Sequence, residues 1–181
     1  MPRYDVPKAA PAPLNVVQAF VNTVDLENNR EWLATPKDLA QWFEEKGITA
    51  SPRGPSGLRR AHELRDAFRV LLIANREGEE PAEDALGVIN KSARGLRAAV
   101  GADLQISWTA ADKRAGSGLT ELVEIAFASI LDGTWPRLKA CRNCRWAFFD
   151  YSRNRTARWC SMTLCGNRQK TRRYRKRRKG S

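Results

Sequence analysis

All four cysteines of this 181-residue chain fall between positions 141 and 165. They form a C-x-x-C pair, fifteen intervening residues and a C-x-x-x-x-C pair, at Cys141, Cys144, Cys160 and Cys165. A C-x-x-C turn places two thiolates on one side of a knuckle, and a second pair can complete a tetrahedron around a metal ion. Because such an ion would fix the chain at four points, this pattern constrains the fold more than any other feature of the sequence.

The spacing indicates one structural Zn²⁺ ion held by the four thiolates. The alternatives are two disulfides or a redox-active C-x-x-C pair. Structural disulfides are disfavoured in a cytosolic chain, and a redox pair would leave the second pair unexplained. A catalytic zinc ion is disfavoured because four protein ligands leave no open coordination position.

The expectation of a cytoplasmic protein rests on hydropathy. No apolar run approaches the roughly 18 residues that span a bilayer. The first residues, MPRYDVPKAAPAP, lack the apolar segment of a secretory signal. We therefore expect no membrane partner.

The order of residues around the cysteines predicts a treble-clef-like zinc finger, in which a knuckle is followed by a hairpin and a helix. A short strand is predicted at Trp146, Phe148 and Phe149, and a return strand at 157–159. Ser161 can then cap a helix whose first turn carries Cys165 back towards the metal.

Several residues of this segment receive structural roles in preference to binding roles. Asp150, its only acid, is predicted to pair with an arginine such as Arg158. Asn167 is predicted to cap the helix or to hydrogen-bond a metal-bound sulfur rather than touch a base. The aromatic residues are predicted to form a small core rather than a base-stacking platform: Trp146, Phe148, Phe149 and Trp159.

Charge divides the chain into two unequal parts. Residues 137–181 hold 16 Lys and Arg against one acid, a formal charge of +15, whereas the other 136 residues carry −3. Such a split suggests a nearly neutral folded body followed by a basic module aimed at a polyanion.

The body carries apolar stripes at helical spacing and has room for about five helices with a minor β element at LQISWT. Thr35 and Pro36 mark one helix start, and Gly47 marks its end. Another helical stripe is predicted to run from Leu86 to Val100. We therefore expect a mainly α chain in three parts: a flexible arm at 1–13, a helical sensor or dimerisation domain at 14–136, and the finger with a basic helix at 137–181.

The basic residues of the module are the candidate nucleic-acid contacts. If the helix begun near Ser161 continues, Arg168, Arg172, Arg175 and Lys179 share one stripe. Arg168 and Arg172 are the candidates for base edges, and the more distal residues for phosphate clamps. The predicted contacts are Arg153, Arg155, Arg158, Arg168, Lys170, Arg172, Arg173, Arg175 and Lys176. About six to ten phosphate contacts would weaken binding about 10³- to 10⁵-fold between 50 and 200 mM salt.

Catalytic residues are not nominated by the sequence, and we expect the protein not to be an enzyme. His62, the single histidine, precedes Glu63 but lacks the second histidine that a metalloprotease helix carries four residues later. Neither a phosphate-binding glycine loop nor a nucleophile elbow is present.

The finger resembles the bacterial CGNR zinc-finger family, whose name matches Cys165, Gly166, Asn167 and Arg168. The body resembles the helical domain that precedes this finger in stress-induced transcription regulators, through AFVNTVD at 19–25, TPKDLAQWFEEKGI at 35–48 and HELRDAFRVLL at 62–72. The resemblance implies zinc and DNA binding, with the four cysteines as the metal ligands.

Together these features favour a DNA-binding transcriptional regulator whose body senses a small-molecule effector or forms a homodimer. An RNA- or ribosome-binding protein is the first alternative, because basic helices and zinc modules serve there as well. The second is an enzyme with its active site in the helical body and the finger as an accessory.

Overall fold

The computed structural model describes residues 8–48, 52–104, 106–110 and 117–171. In chain order the elements are α1 (Leu14–Val21), β1 (Val24–Asp25), β2 (Arg30–Glu31), α2 (Pro36–Glu45), α3 (Gly54–Glu77), α4 (Glu83–Ala93), β3 (Leu96–Val100), β4 (Ile106–Ala110), α5 (Ser117–Leu131), a 3-10 turn (Trp135–Arg137), β5 (Leu138–Ala140), β6 (Ala147–Phe149) and a π-helical turn (Met162–Gly166). Residues 167–171 continue this turn as α-helix. The mainly α fold with a small C-terminal finger is confirmed.

The ends of α2 follow from its sequence. The Thr35 hydroxyl accepts a hydrogen bond from the backbone N–H of Asp38, and the Asp38 carboxylate accepts one from the backbone N–H of Thr35. Pro36 occupies the first helical position, where its missing N–H is harmless. Gly47 adopts φ 72° just beyond the helix, a conformation that glycine tolerates without strain.

The predicted helix from Leu86 to Val100 is wrong in its second half. The helix α4 ends at Ala93, and Leu96–Val100 forms β3, which pairs antiparallel with β4 from Leu96 opposite Ala110 to Val100 opposite Ile106. Gly95 lies at the break, with Thr120 so close that a β-carbon would meet its hydroxyl at 3.3 Å. Apolar spacing alone could not separate a helix from an exposed hairpin here.

One hydrophobic core joins the helices to the hairpin β5–β6. Many of its largest fully buried side chains come from α1, α2, α3, α5 and β5: Val17, Phe20, Val21, Leu39, Phe43, Leu64, Phe68, Leu72, Leu122 and Leu138. From the hairpin, Leu138, Ala140, Ala147 and Phe149 all enter this core. The hydrophobic core therefore continues without a break across position 137.

Hydrogen bonds reinforce the junction between helices and hairpin. The Asn75 amide donates to the carbonyls of Trp135 and Leu138, both at 2.9 Å. Asn22 pairs with the backbone of Ala147 in both directions, at 3.0 and 2.7 Å. These contacts fix the start of the finger on the body.

The segment Lys8–Pro13, which belongs to the predicted flexible arm, is anchored. The Phe149 amide donates to the Lys8 carbonyl at 2.9 Å, and the Ala10 amide donates to the Gln18 side chain at 2.6 Å. The ammonium of Lys8 reaches the Trp159 carbonyl at 3.1 Å. This half of the arm therefore ties the body to the finger, while residues 1–7 lie outside the described part of the chain.

Candidate metal centre and nucleic-acid interface

The first cysteine pair lies on a tight knuckle directly after β5. The Cys141 amide donates to the Trp146 carbonyl at 2.8 Å, and the Arg145 amide donates to the Cys141 carbonyl at 3.0 Å. Arg145 takes a positive φ of 62°, which lets the chain reverse within the pair. The turn thereby directs the thiols of Cys141 and Cys144 to the same side.

The second pair lies at the start of the C-terminal helix. Ser161 caps this helix as predicted, because its hydroxyl accepts a hydrogen bond from the Leu164 amide. The first turn is π-helical rather than α-helical, because the Gly166 amide donates to the Ser161 carbonyl, five residues back, at 3.1 Å. This wider turn brings Cys165 beside Cys160.

The four sulfurs surround one point and are not bonded to each other. Their Sγ atoms lie within 4.8 Å of one another. The distances from Cys144 to Cys160 and from Cys160 to Cys165 are 3.7 Å, and that from Cys165 to Cys144 is 3.6 Å. A disulfide needs about 2.05 Å, whereas a tetrahedron with Zn–S bonds of about 2.3 Å has edges of about 3.8 Å. The geometry therefore fits one tetrahedral ion.

The four thiols lie close enough together to shift one another's pKa. The pKa of Cys141 is lowered because the thiols of Cys144 and Cys160 hydrogen-bond to its sulfur. The same hydrogen bonds raise the pKa of Cys144 and of Cys160, and burial raises that of Cys165. A dication stabilises four thiolates together, which is the chemistry of a structural zinc site.

Asn167 and Asn143 divide the two roles that were predicted for Asn167. The Asn167 amide donates to the Thr163 carbonyl at 3.1 Å, so it closes the helical turn, which was one of its two predicted roles. The amide near sulfur belongs to Asn143, whose Nδ2 lies 3.7 Å from Cys165 Sγ. Amide donors of this kind orient a metal-bound thiolate.

The aromatic residues of the finger form a core, as predicted for three of them. Trp146 and Phe148 are buried with Cys141 and Cys165, and Trp159 packs against the same cluster. Phe149 differs, because it enters the core of the body. Trp32 completes the finger's cluster from the body side, with its ring centroid 6.4 Å from that of Trp146 in an edge-on contact.

The predicted pairing of Asp150 with Arg158 is wrong. The Asp150 carboxylate instead accepts a hydrogen bond from the Lys139 ammonium at 2.9 Å, across the β5–β6 hairpin. Ser152 and the Ala157 amide donate to the same carboxylate. Both charges are buried, so the pair organises the interior of the finger rather than its surface.

The nucleic-acid candidates within the described residues lie at three places. Arg153 and Arg155 are exposed in the turn after β6, where Arg155 has a positive φ of 52°. Arg158 precedes the third cysteine in a segment without assigned strand structure, so a return strand at 157–159 is not formed. Arg168 and Lys170 are exposed on the helix at 167–171. The remaining candidates, Arg172, Arg173, Arg175 and Lys176, lie outside the described residues.

Three contacts at this surface were not predicted. Arg142 lies beside Arg158, because the Arg142 amide donates to the Arg158 carbonyl at 3.0 Å. Gln169 joins them around a small cavity. Glu27 of the body accepts a hydrogen bond from the Arg168 guanidinium. Only the position of Arg142 inside the C-x-x-C pair could have drawn attention to it from sequence.

A larger cavity of about 340 Å³ lies on the body between α1, α2 and the segment after β2. It is lined by Ala19, Asn22, Thr23, Trp32, Leu33, Asp38, Gln41, Trp42, Glu45 and Lys46. Its polar groups already have partners, since Asp38 caps α2 and Glu45 accepts a hydrogen bond from Gln41. His62 is not among the lining residues and contacts the Leu33 carbonyl at 2.8 Å.

A helical body fused to a four-cysteine knuckle with a basic C-terminal segment defines a zinc-finger protein. Residues 14–132 match the family described as a putative stress-induced transcription regulator (ABATE), and residues 137–178 match the CGNR zinc finger. The chain belongs to this family, as the resemblance predicted, and its finger is the site of one structural zinc ion. Neither match is to an enzyme family. A search of curated proteins found no match. None of the helices in the described ranges is both long and apolar enough to cross a membrane.

Proposed function

We propose that the protein is a DNA-binding transcriptional regulator whose zinc ion is bound by Cys141, Cys144, Cys160 and Cys165. The observation that carries the proposal is that these four thiols converge within the segment 137–181, which has a formal charge of +15. The ion would hold the knuckle and the helix start together and so present their arginines to a duplex. Such a regulator would act in the cytoplasm.

The contacts to DNA would divide by distance from the metal. Arg168, in the first turn after Cys165, is the candidate for a base edge, together with Arg172, four residues further along the sequence. Arginine suits this role because its planar fork donates two hydrogen bonds to guanine. Arg153, Arg155 and Arg158 would contact phosphates, together with the basic residues listed here: Lys170, Arg173, Arg175 and Lys176.

The body would serve as a sensor rather than as an enzyme. Its cavity of about 340 Å³ has the size of a small-molecule site, and two tryptophans, Trp32 and Trp42, line it. Asn22 and Trp32 line the cavity and also contact the finger, so an effector there would act next to the DNA-binding module. A homodimer stays a prediction, which light scattering of the full chain tests directly.

The test of the proposed function is selection of bound sequences from a random duplex pool, with the zinc-loaded protein and with protein stripped of zinc. We expect one enriched motif with zinc and none without it. A Cys165→Ser variant should behave like the stripped protein. Equal enrichment after verified metal removal would contradict the proposal.

A competition experiment separates DNA from RNA. At one salt concentration, the selected duplex should displace a labelled copy of itself far better than structured RNA does. Stronger competition by the RNA would establish the alternative of an RNA- or ribosome-binding protein instead.

A further inference from the structure

A small niche on the finger, distinct from the cysteine cluster, is built from two arginines, an aromatic ring and an amide. Arg142, Arg158, Trp159 and Gln169 line a cavity of about 190 Å³. Arg142 comes from the knuckle, Arg158 and Trp159 from the segment before Cys160, and Gln169 from the C-terminal helix. Three separate parts of the finger therefore meet at this niche.

Hydrogen bonds fix the residues that form the niche. The Arg142 amide donates to the Arg158 carbonyl at 3.0 Å, and the Lys8 ammonium donates to the Trp159 carbonyl at 3.1 Å. The Gln169 amide reaches the Asn143 side chain at 3.4 Å. Arg142 adjoins Cys141 in sequence and Trp159 adjoins Cys160, so the metal ligands fix the same backbone. The two arginines therefore project from a preformed frame.

The charge around the niche is unbalanced. Glu77, at the end of α3, lies close enough for the charges of Arg142 and Arg158 to lower its pKa, although hydrogen bonds from Arg76 are the larger cause. Those hydrogen bonds, at 3.1 and 2.6 Å, both reach the Oε1 atom of Glu77 and pair its carboxylate with Arg76. The charge of Glu77 is thus shared with Arg76, and the two guanidinium groups of the niche remain an excess of positive charge. An anion between them would relieve their repulsion.

We propose that this arginine niche binds one phosphodiester group of the nucleic acid, with Arg142 and Arg158 as paired donors to its oxygens. Guanidinium forks match phosphate geometry in a way that a single ammonium does not. The Gln169 amide adds a polar group, and the ring of Trp159 offers an apolar wall for the adjoining sugar. The niche lies on the module that carries the basic segment, and the inference rests on the proposed function.

The test measures how binding to a labelled duplex of arbitrary sequence depends on salt. The plot of log K against log salt has a negative slope. The double variant Arg142→Ala/Arg158→Ala should make this slope shallower by about 0.9, which is the contribution of one phosphate. At 0.1 M salt this corresponds to about tenfold weaker binding, independent of sequence. The matched control is Arg94→Ala/Arg97→Ala, which removes two exposed arginines from the body and should leave the slope unchanged.

The outcomes separate the niche from the proposed function. If wild-type protein binds duplexes and the niche variant keeps the full slope, the niche holds no phosphate and the inference is overturned. If the wild-type protein binds no nucleic acid, the proposed function fails and the inference fails with it. Zinc content confirms that the variant is folded. If the double alanine variant binds less than one zinc ion per chain, the variant Arg142→Gln/Arg158→Gln replaces it. This variant removes the same charges while keeping the aliphatic stems, and its slope of log K against log salt then tests the inference.

Discussion

Asp150 is completely buried, and its carboxylate organises the interior of the finger. Its carboxylate joins three parts of the module, because Lys139, Ser152 and the Ala157 amide all donate to it. Lys139 also donates to the Arg155 carbonyl and is itself only 3% exposed. A buried ion pair of this kind is sensitive to removal of one partner, because the other charge then stays in the interior uncompensated.

We therefore expect Asp150→Asn to lower the free energy of unfolding by about 3–5 kcal/mol. Urea denaturation of zinc-loaded protein at pH 7 measures the loss. The control is Asp150→Asn combined with Lys139→Met, which also removes the orphaned ammonium and should recover most of the stability. A double variant as unstable as the single one would show that Asp150 acts through its contacts with Ser152 and Ala157 alone.

The pKa of Asp150 gives the same contact a pH dependence. Burial would raise this pKa, but hydrogen bonds from Ser152, Lys139 and the Ala157 amide outweigh it and lower the pKa to about 2, from an ordinary value of 3.8. A lowered folded-state pKa adds stability above the unfolded pKa, and this stability is lost as pH falls through the folded value. The stability difference between wild type and Asp150→Asn should hold above pH 4 and shrink by roughly 2 kcal/mol towards pH 2. A difference independent of pH would contradict this assignment.

Glu27 and Arg168 form a contact between the body and the motif arginine of the finger. The Arg168 side chain is 42% exposed and donates to the Glu27 carboxylate, which also lies 3.5 Å from the Asn143 amide. A carboxylate that restrains an arginine reduces the entropy lost when that arginine reads a base edge. Glu27 is thus a positioning residue for the proposed DNA contact.

Replacing Glu27 with Ala should lower the preference for the selected duplex over random duplex by about 1 kcal/mol, or about fivefold, because one bidentate contact is worth about 1–3 kcal/mol. Fluorescence anisotropy with both duplexes measures the ratio. Glu27→Gln, which keeps an oxygen acceptor, should retain more of the preference. If both affinities instead rise in parallel, Glu27 only repels DNA and does not position Arg168.

At the level of elements, the hairpin β5–β6 and the metal turns should respond differently to loss of zinc. Leu138, Ala140, Ala147 and Phe149 are buried in the core of the body, and Asn22 and Asn75 bind the hairpin backbone. The knuckle and the helix start depend instead on the cysteines. The packing therefore assigns the two strands to the body rather than to the metal.

Hydrogen exchange with and without a zinc chelator tests this division. After metal removal, amides in 138–140 and 147–149 should stay protected, while those in 141–146 and 160–171 should exchange rapidly. Cys165→Ser should reproduce the pattern without chelator. Equal loss of protection in both strands would show that the ion, rather than the body, holds the hairpin.

The elements that the sequence specified are those whose signals are local. The start of α2 at Thr35 and Pro36, its stop at Gly47 and the cysteine spacing each act within a few residues, and the structure forms them as predicted. The strand β3 was missed because four of its five residues are exposed, so no buried periodicity marks it.

Contacts between distant segments could not be derived in this way. Lys139 and Arg158 lie at similar distances along the chain from Asp150, and only the register of the hairpin, with Lys139 opposite Phe148, selects the lysine. Likewise, nothing in the sequence places Arg142 beside Arg158 or Glu27 beside Arg168. Both arrangements depend on where the knuckle and the finger's helix lie on the body.

For the molecule as a whole, the continuous core fixes the finger on the body. Trp32 lines the body cavity and packs against Trp146, so it is shared by the proposed effector site and the finger's cluster. An effector could change DNA binding only through a difference in its affinity for two arrangements of this junction. Because Trp32 contacts both the cavity and the finger's cluster, a movement of Trp32 on effector binding would act directly on the cysteine turns.

The same continuity predicts that the finger does not fold as an independent unit. A peptide of residues 137–181 would expose Leu138 and Phe149, which the full chain buries in the body. Loss of this burial should destabilise the folded finger by about 3–6 kcal/mol. Because metal binding is coupled to folding, the peptide should bind zinc roughly 10²- to 10⁴-fold more weakly than the full chain. Competition with a chromophoric chelator measures both affinities, and a chain lacking only residues 1–7 controls for truncation. Equal zinc affinity of peptide and full chain would mean that the body contributes nothing to forming the metal site.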